Sequence, residues 1–156
     1  MINNLKRWLP VLLWMGVIYF LSSRSNPYTY IPTWVNDCVK LMPKTAFWQE
    51  HCANEYLGRV AHLGSYTLLS LLLYRALAGS RWRSDLRKVY LVVVLLGWGY
   101  GWSDETHQLF VTRRTFQILD LATDLAGVTL AVLLIYLVRL CERRRTQMKK
   151  HLPPGV

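Results

Sequence analysis

Four apolar runs, each near the length a helix needs to cross a bilayer, are separated by short charged stretches. They cover approximately residues 6–23, 56–77, 87–103 and 118–140. A helix takes about 20 residues to span the roughly 30 Å of hydrocarbon. Lipid offers no hydrogen-bond partners, so a chain at that depth must satisfy its own backbone as a helix or in a closed barrel. The two-residue alternation of a barrel strand is absent, which leaves helices. The expected fold is therefore all-α, an integral membrane bundle of about four transmembrane helices over residues 1–141. A basic tail follows at 142–156.

Charge sets the expected orientation. Lys and Arg number 19 against 9 Asp and Glu, a formal net charge of +10. In a soluble chain that balance would point to nucleic acid. Here the basic residues flank apolar runs, where they act as topology signals and contacts to anionic lipid. Membrane lipids are thus the expected partners, and nucleic acid is not. Lys6 and Arg7 precede the first run, and Arg75, Arg81, Arg83, Arg87 and Lys88 outweigh Asp85 after the second. The segments 24–57 and 103–117 are balanced. Both termini then lie in the cytoplasm, and the first and third loops lie outside. The first run has the basic start of a signal peptide, but no small-x-small cleavage site follows it, and Asn26-Pro27 reads as a helix end. Pro27, Pro32 and Pro43 break up the first loop, which is expected to carry a short interfacial helix near residues 33–41. Cys38 and Cys52 share that loop; a disulfide between them and two free thiols are both open. The tail from Glu142 ends in Pro153-Pro154-Gly155 and reads as disordered.

Ionisable residues beside spans are costly and mark function by default. Glu55, Arg59, His62 and Tyr66 are spaced by four, three and four, so they share one helix face at the outer end of the second run. Asp104, His107 and Gln108 follow the third run at i, i+3 and i+4, and Glu105 pairs with Gln108 at i, i+3. Asp120, Asp124 and Gly127 share a face of the fourth. Four antiparallel spans bring these sets to the same membrane face, together with Arg113 and Arg114. Asp120 suits a helix start, where the dipole favours a carboxylate. Asp124 lies a turn deeper and needs a partner, for which Arg59 or Arg114 is the candidate. Gly127 is expected to permit close helix packing. A divalent metal on His62, His107, Glu105 and the aspartates has little pattern behind it: no HExxH occurs, and Glu105 and His107 fall on different faces. No metal is expected, and no pattern names a cofactor or an oligomeric state.

The segment Ser103-Asp104-Glu105-Thr106-His107-Gln108-Leu109-Phe110-Val111 resembles the VanZ-like family. There a Glu and a Gln three residues on follow an apolar helix. A Phe-Val-Pro-Gly-Arg-like stretch comes next, then an Asp, an Asn four residues later, and a Gly. Glu105, Gln108, Phe110, Val111, Arg114, Asp120 and Gly127 match. Arg59-x-x-His62-x-x-x-Tyr66 is similar to the family's basic-x-x-His signature, and Phe20-Leu21-Ser22-Ser23 to the end of its first helix. The likeness covers about residues 10–138. Thr112 and Arg113 stand in place of Pro-Gly, and Asp124 in place of Asn. The resemblance implies four membrane helices and a bacterial inner-membrane location. The family takes its name from a protein linked to teicoplanin resistance, but no general reaction follows from membership.

These readings converge on an outward-facing polar site for an anionic envelope lipid or glycopeptide-type ligand. Glu105 would be the acid or base, with His62 or His107 as its proton partner. Arg59 and Arg114 would hold the anion, Asp120 and Asp124 would orient the basic groups, and Gln108 and Tyr66 would complete the lining. The alternative is a scaffold in which the same residues only fix helix packing. A proton-coupled transporter ranks last, because the inner halves of the runs are nearly pure apolar.

Overall fold

The computed structural model describes residues 2–25, 50–79 and 85–151, with side chains over 5–25, 57–79 and 85–148. Four helices make up these residues: α1 (Ile2–Ser22), α2 (Glu50–Ala78), α3 (Leu86–Gln108) and α4 (Ile118–His151). No strand occurs among them. Cys38 and the expected interfacial helix near 33–41 lie outside the described residues, as do the side chains of Cys52 and Glu55.

Each helix follows from its sequence. Pro10 stands inside α1, where a Pro costs the ladder one N–H. The Asp85 carboxylate caps α3 by accepting from the Lys88 backbone N–H. That N–H, and then the Lys88 ammonium, hold the Asp85 carboxyl below its ordinary range. α3 runs through Gln108 because Asp104 to Gln108 keep helical bonding after the apolar run stops at 103. α4 continues to His151, so the start of the tail is helical rather than disordered. Glu142, Arg143, Arg144, Arg145, Gln147 and Met148 are all strong helix formers, and Arg139 pairs with Glu142 at 3.6 Å.

Packing is densest between α2 and α4, and α3 lies against both. Gly127 sets the α2–α4 distance: a β-carbon there would lie 2.5 Å from the Leu63 carbonyl oxygen. Thr67 uses the approach, donating to Leu63 O at 2.7 Å and to Gly127 O at 3.1 Å. α1 is tied in by two aromatic donors. Trp14 Nε1 reaches Ser65 O at 3.0 Å, and the Tyr100 hydroxyl reaches Met15 O at 2.7 Å. The apolar core of Val11, Leu69, Leu73, Val89, Val93 and Val128 lies between the helices.

The surface is inverted relative to a protein that folds in water. Leu12, Leu13, Leu91, Leu95, Leu133 and Val138 are exposed, whereas Asp104, Glu105, Gln108, Asp120 and Asp124 are buried. Apolar surface left in water costs about 25 cal/mol per Å², so such an exterior fits lipid. Two helical segments, Leu5–Ser22 and Ile118–Met148, are long and apolar enough by themselves to cross a membrane. α2 carries Arg59, His62 and Arg75, and α3 carries Arg87, Lys88, Asp104 and Glu105; these charges lower the apolarity of both.

Candidate functional site

The polar residues of α2, α3 and α4 meet where α3 ends and α4 begins. Helical spacing puts Arg59 and His62 on the face of α2 that meets α4, and His62 lies between the two α4 aspartates. Its Nδ1 is 2.8 Å from Asp124 Oδ1, and its Nε2 is 4.0 Å from Asp120 Oδ2. With Asp124 ionised, its carboxylate only accepts, so Nδ1 is the donor in that contact and Nε2 faces Asp120. Arg59 Nε stands 3.9 Å from the other Asp120 oxygen. Asp120 is in the first turn of α4, where the helix dipole favours its charge. Tyr66, one turn beyond His62, is fully buried, with its ring stacked parallel to the imidazole at 6.3 Å.

Glu105 comes in from α3 and is fully buried. Both of its oxygens are held. Gln108 Nε2 donates to Oε1 at 2.9 Å, and the Gln117 backbone N–H donates to Oε2 at 2.9 Å. Gln108 Nε2 also reaches Asp104 Oδ2 at 3.4 Å. The site thus holds four buried carboxylates but few donors. Asp104 Oδ1, Asp124 Oδ2 and Gln108 Oε1 are buried and accept no hydrogen bond from the described residues. His62, Glu105 and Asp120 each offer one ligand atom, and the three atoms lie within 4.8 Å of one another.

The structure sorts the residues expected from sequence. Arg59, His62, Tyr66, Glu105, Gln108, Asp120 and Asp124 belong to one cluster. His107 turns to α1 instead, 3.0 Å from Ser23 Oγ, with its ring 4.5 Å from that of Tyr19. Arg114 donates to the Arg24 carbonyl at 3.3 Å. Asp124 is partnered by His62, not by Arg59 or Arg114, because His62 sits directly opposite it across the α2–α4 contact. His62, Glu105 and Asp120 come from α2, α3 and α4, so their approach does not show as a spacing within any one segment. Two contributors were missed from sequence. The Gln117 N–H is a backbone group and leaves no residue signal. Gly101 makes room for Asp124, since a β-carbon there would lie 3.0 Å from Asp124 Oδ2. Its partner at i−4, Gly97, was the available clue.

A profile of the VanZ/LLP1 family matches residues 7–139. The chain belongs to the VanZ/LLP1 family. An uncharacterized protein of the fission yeast Schizosaccharomyces pombe is 34% identical to it over 100 residues, which are 61% of this chain and 57% of that protein. The chain therefore spans little more than half the length of that relative. No solved structure matches.

The VanZ-like motif residues map onto the cluster. Glu105 and Gln108 are hydrogen-bonded to each other, Asp120 opens α4, and Gly127 fits against Leu63. The position that resembles the motif's Gly is Arg113, and it adopts φ 65°. The turn after α3 therefore keeps a left-handed residue even without glycine, at a cost of about 1–2 kcal/mol for an L-residue. That geometry carries the chain from Arg114 to Gln117, whose N–H reaches Glu105.

Proposed function

We propose that this VanZ/LLP1 protein crosses the membrane four times, with both termini in the cytoplasm. On the outer face, its polar cluster binds, and by proton transfer acts on, the anionic head group of an envelope lipid. The observation that carries the reading is the burial of Glu105, Asp120 and Asp124, with the half-buried His62 between the two aspartates, at one end of a bundle whose exterior is apolar. Charges so placed are expensive unless they serve a site. Arg24, Arg59, Arg113 and Arg114 cluster around the same end and offer the positive rim an anion requires. Within the site, Glu105 acts as acid or base and His62, held by Asp124, is its proton partner. His107 is left to position α1. A relative in a fission yeast favours an anionic lipid over a glycopeptide-type ligand, because lipid head groups are common to both kinds of cell. A bacterial inner membrane is the expected location.

A second reading has support in the hydrogen bonds on both Glu105 oxygens: the cluster could serve packing alone. The Glu105→Gln variant separates the two. In a strain lacking the protein, wild type and Glu105→Gln are restored at matched membrane levels, and envelope lipids and wall precursors are compared by mass spectrometry. A species that responds to wild type only supports the site, and its mass shift identifies the reaction class. Identical profiles, with normal growth from both, leave the scaffold.

A further inference from the structure

We infer that His62, Glu105 and Asp120 form a binding site for a divalent transition-metal ion, one ligand from each of α2, α3 and α4. The inference names what sits in the site proposed above and makes Glu105 and His62 ligands instead of a direct proton-exchanging pair; it rests on separate geometry and is tested without any lipid.

The distances fit. The three ligand atoms lie within 4.8 Å of one another, and His62 Nε2 is 4.0 Å from Asp120 Oδ2. The latter is too long for a hydrogen bond and too short to be indifferent. An ion about 2.0–2.2 Å from each ligand in a tetrahedral site separates donor atoms by about 3.3–3.6 Å. The side chains therefore need to close by about an ångström to grip one.

The ligands are also supported as metal ligands usually are. A metal-binding His commonly gives its other ring N–H to a carboxylate, which fixes its tautomer and aims the free nitrogen. Asp124 does this for His62 at 2.8 Å. Gln108 and the Gln117 N–H do the corresponding task for Glu105, fixing both oxygens at 2.9 Å. Two rigid contacts on one carboxylate pre-set its orientation.

An independent observation points to a cation. Asp104 and Asp124 are at least nine-tenths buried, and Asp104 Oδ1, Gln108 Oε1 and the Asp124 Oδ2 that faces Gly101 accept nothing from the described residues. Carboxylates deep in a low-dielectric region need protons or positive charge. Arg59 supplies charge to one side of Asp120 only, at 3.9 Å. A dication at the triad would offset two of the three negative charges that remain. One imidazole nitrogen with two carboxylates favours zinc, manganese or iron over magnesium and calcium, which prefer all-oxygen shells.

Cobalt(II) is the probe. The full chain is purified in detergent, stripped with chelator and titrated with Co²⁺ while its visible absorption is followed. Wild type should bind one equivalent and develop a ligand-field band. His62→Ala and Asp120→Asn should weaken binding at least tenfold, and Asp124→Leu, which removes the acceptor for the imidazole N–H, by about 10–100-fold through loss of support. His107→Ala should bind as wild type does. His62→Cys guards against variants that fail to fold: it should add a sulfur-to-cobalt charge-transfer band beyond any seen in wild type. Absence of stoichiometric binding, equal affinity in His62→Ala, or no new band in a folded His62→Cys protein would each overturn the site. Cobalt binding with unchanged lipid profiles in the Glu105→Gln strain would keep the metal and remove the head-group reading.

Discussion

Asp124 sits with one oxygen on His62 and the other against Gly101, and the two contacts make different demands on a substitute. Asparagine keeps the size and one carbonyl acceptor for the imidazole N–H. Asp124→Asn should therefore unfold within about 1 kcal/mol of wild type, the net worth of an ordinary hydrogen bond. Asp124→Leu removes the acceptor and should lose about 1–3 kcal/mol, because a buried N–H is left unpaired. Thermal unfolding in detergent distinguishes them, and equal melting of the two variants would show that the His62 contact contributes nothing. The convergence of Arg59, His62, Glu105, Asp120 and Asp124 was legible in the sequence, since i, i+3 and i+4 spacing fixes a helix face whatever the packing. The partner of Asp124 was not. Formal charge pointed to arginine, whereas the pairing depends on how α2 is rotated and how far it is raised against α4. His107 shows the same limit: its place one residue from Thr106 and two from Glu105 puts it on the α1 side of its helix.

At the scale of elements, the α2–α4 contact is set by one missing β-carbon. Gly127→Val would drive a side chain into the Leu63 carbonyl and break the pair of hydrogen bonds made by Thr67. Overpacking of this kind costs about 1–3 kcal/mol. Here it should also displace Asp124, one turn away, from His62. The expected result is a lower melting temperature together with weaker cobalt binding; a loss of one without the other would separate helix packing from site assembly. The close packing at Gly127 was readable from its place on the Asp120 and Asp124 face. Helix ends were less so, because apolarity marks where lipid begins and not where backbone bonding stops. α3 passes five residues beyond its apolar run, and those five residues include Asp104, Glu105 and Gln108. The site thus belongs to a rigid helix end, not to a loop.

At the scale of the molecule, the described helices present a largely apolar exterior with their buried charge gathered at one end, and that arrangement makes the proposed topology testable. Phe110 lies in the exposed turn after α3 and Cys141 is exposed near the far part of α4. With Cys38 and Cys52 changed to serine, a membrane-impermeant maleimide should label Phe110→Cys in intact cells. Cys141 should react only after permeabilisation. Labelling of both from the same side would mean that α4 does not cross. The number of apolar runs was plain in the sequence. Whether α2 and α3 cross could not be read from apolarity alone, since both carry charges that serve the cluster.

α4 has one more consequence. Its 34 residues make a rod of about 50 Å, against roughly 30 Å of hydrocarbon. In the proposed topology its basic end beyond Arg139 would stand among the head groups of one leaflet, and Asp120 at the other end would lie near the opposite phosphate plane. The helix would then work as a depth gauge, moored at its charged end, with the cluster at a fixed height above the mooring. In a bilayer a few ångströms thicker, Glu105 and His62 would sink beneath the head groups. In a thinner one they would rise into water. Membrane thickness would thus become a physical variable that this site senses.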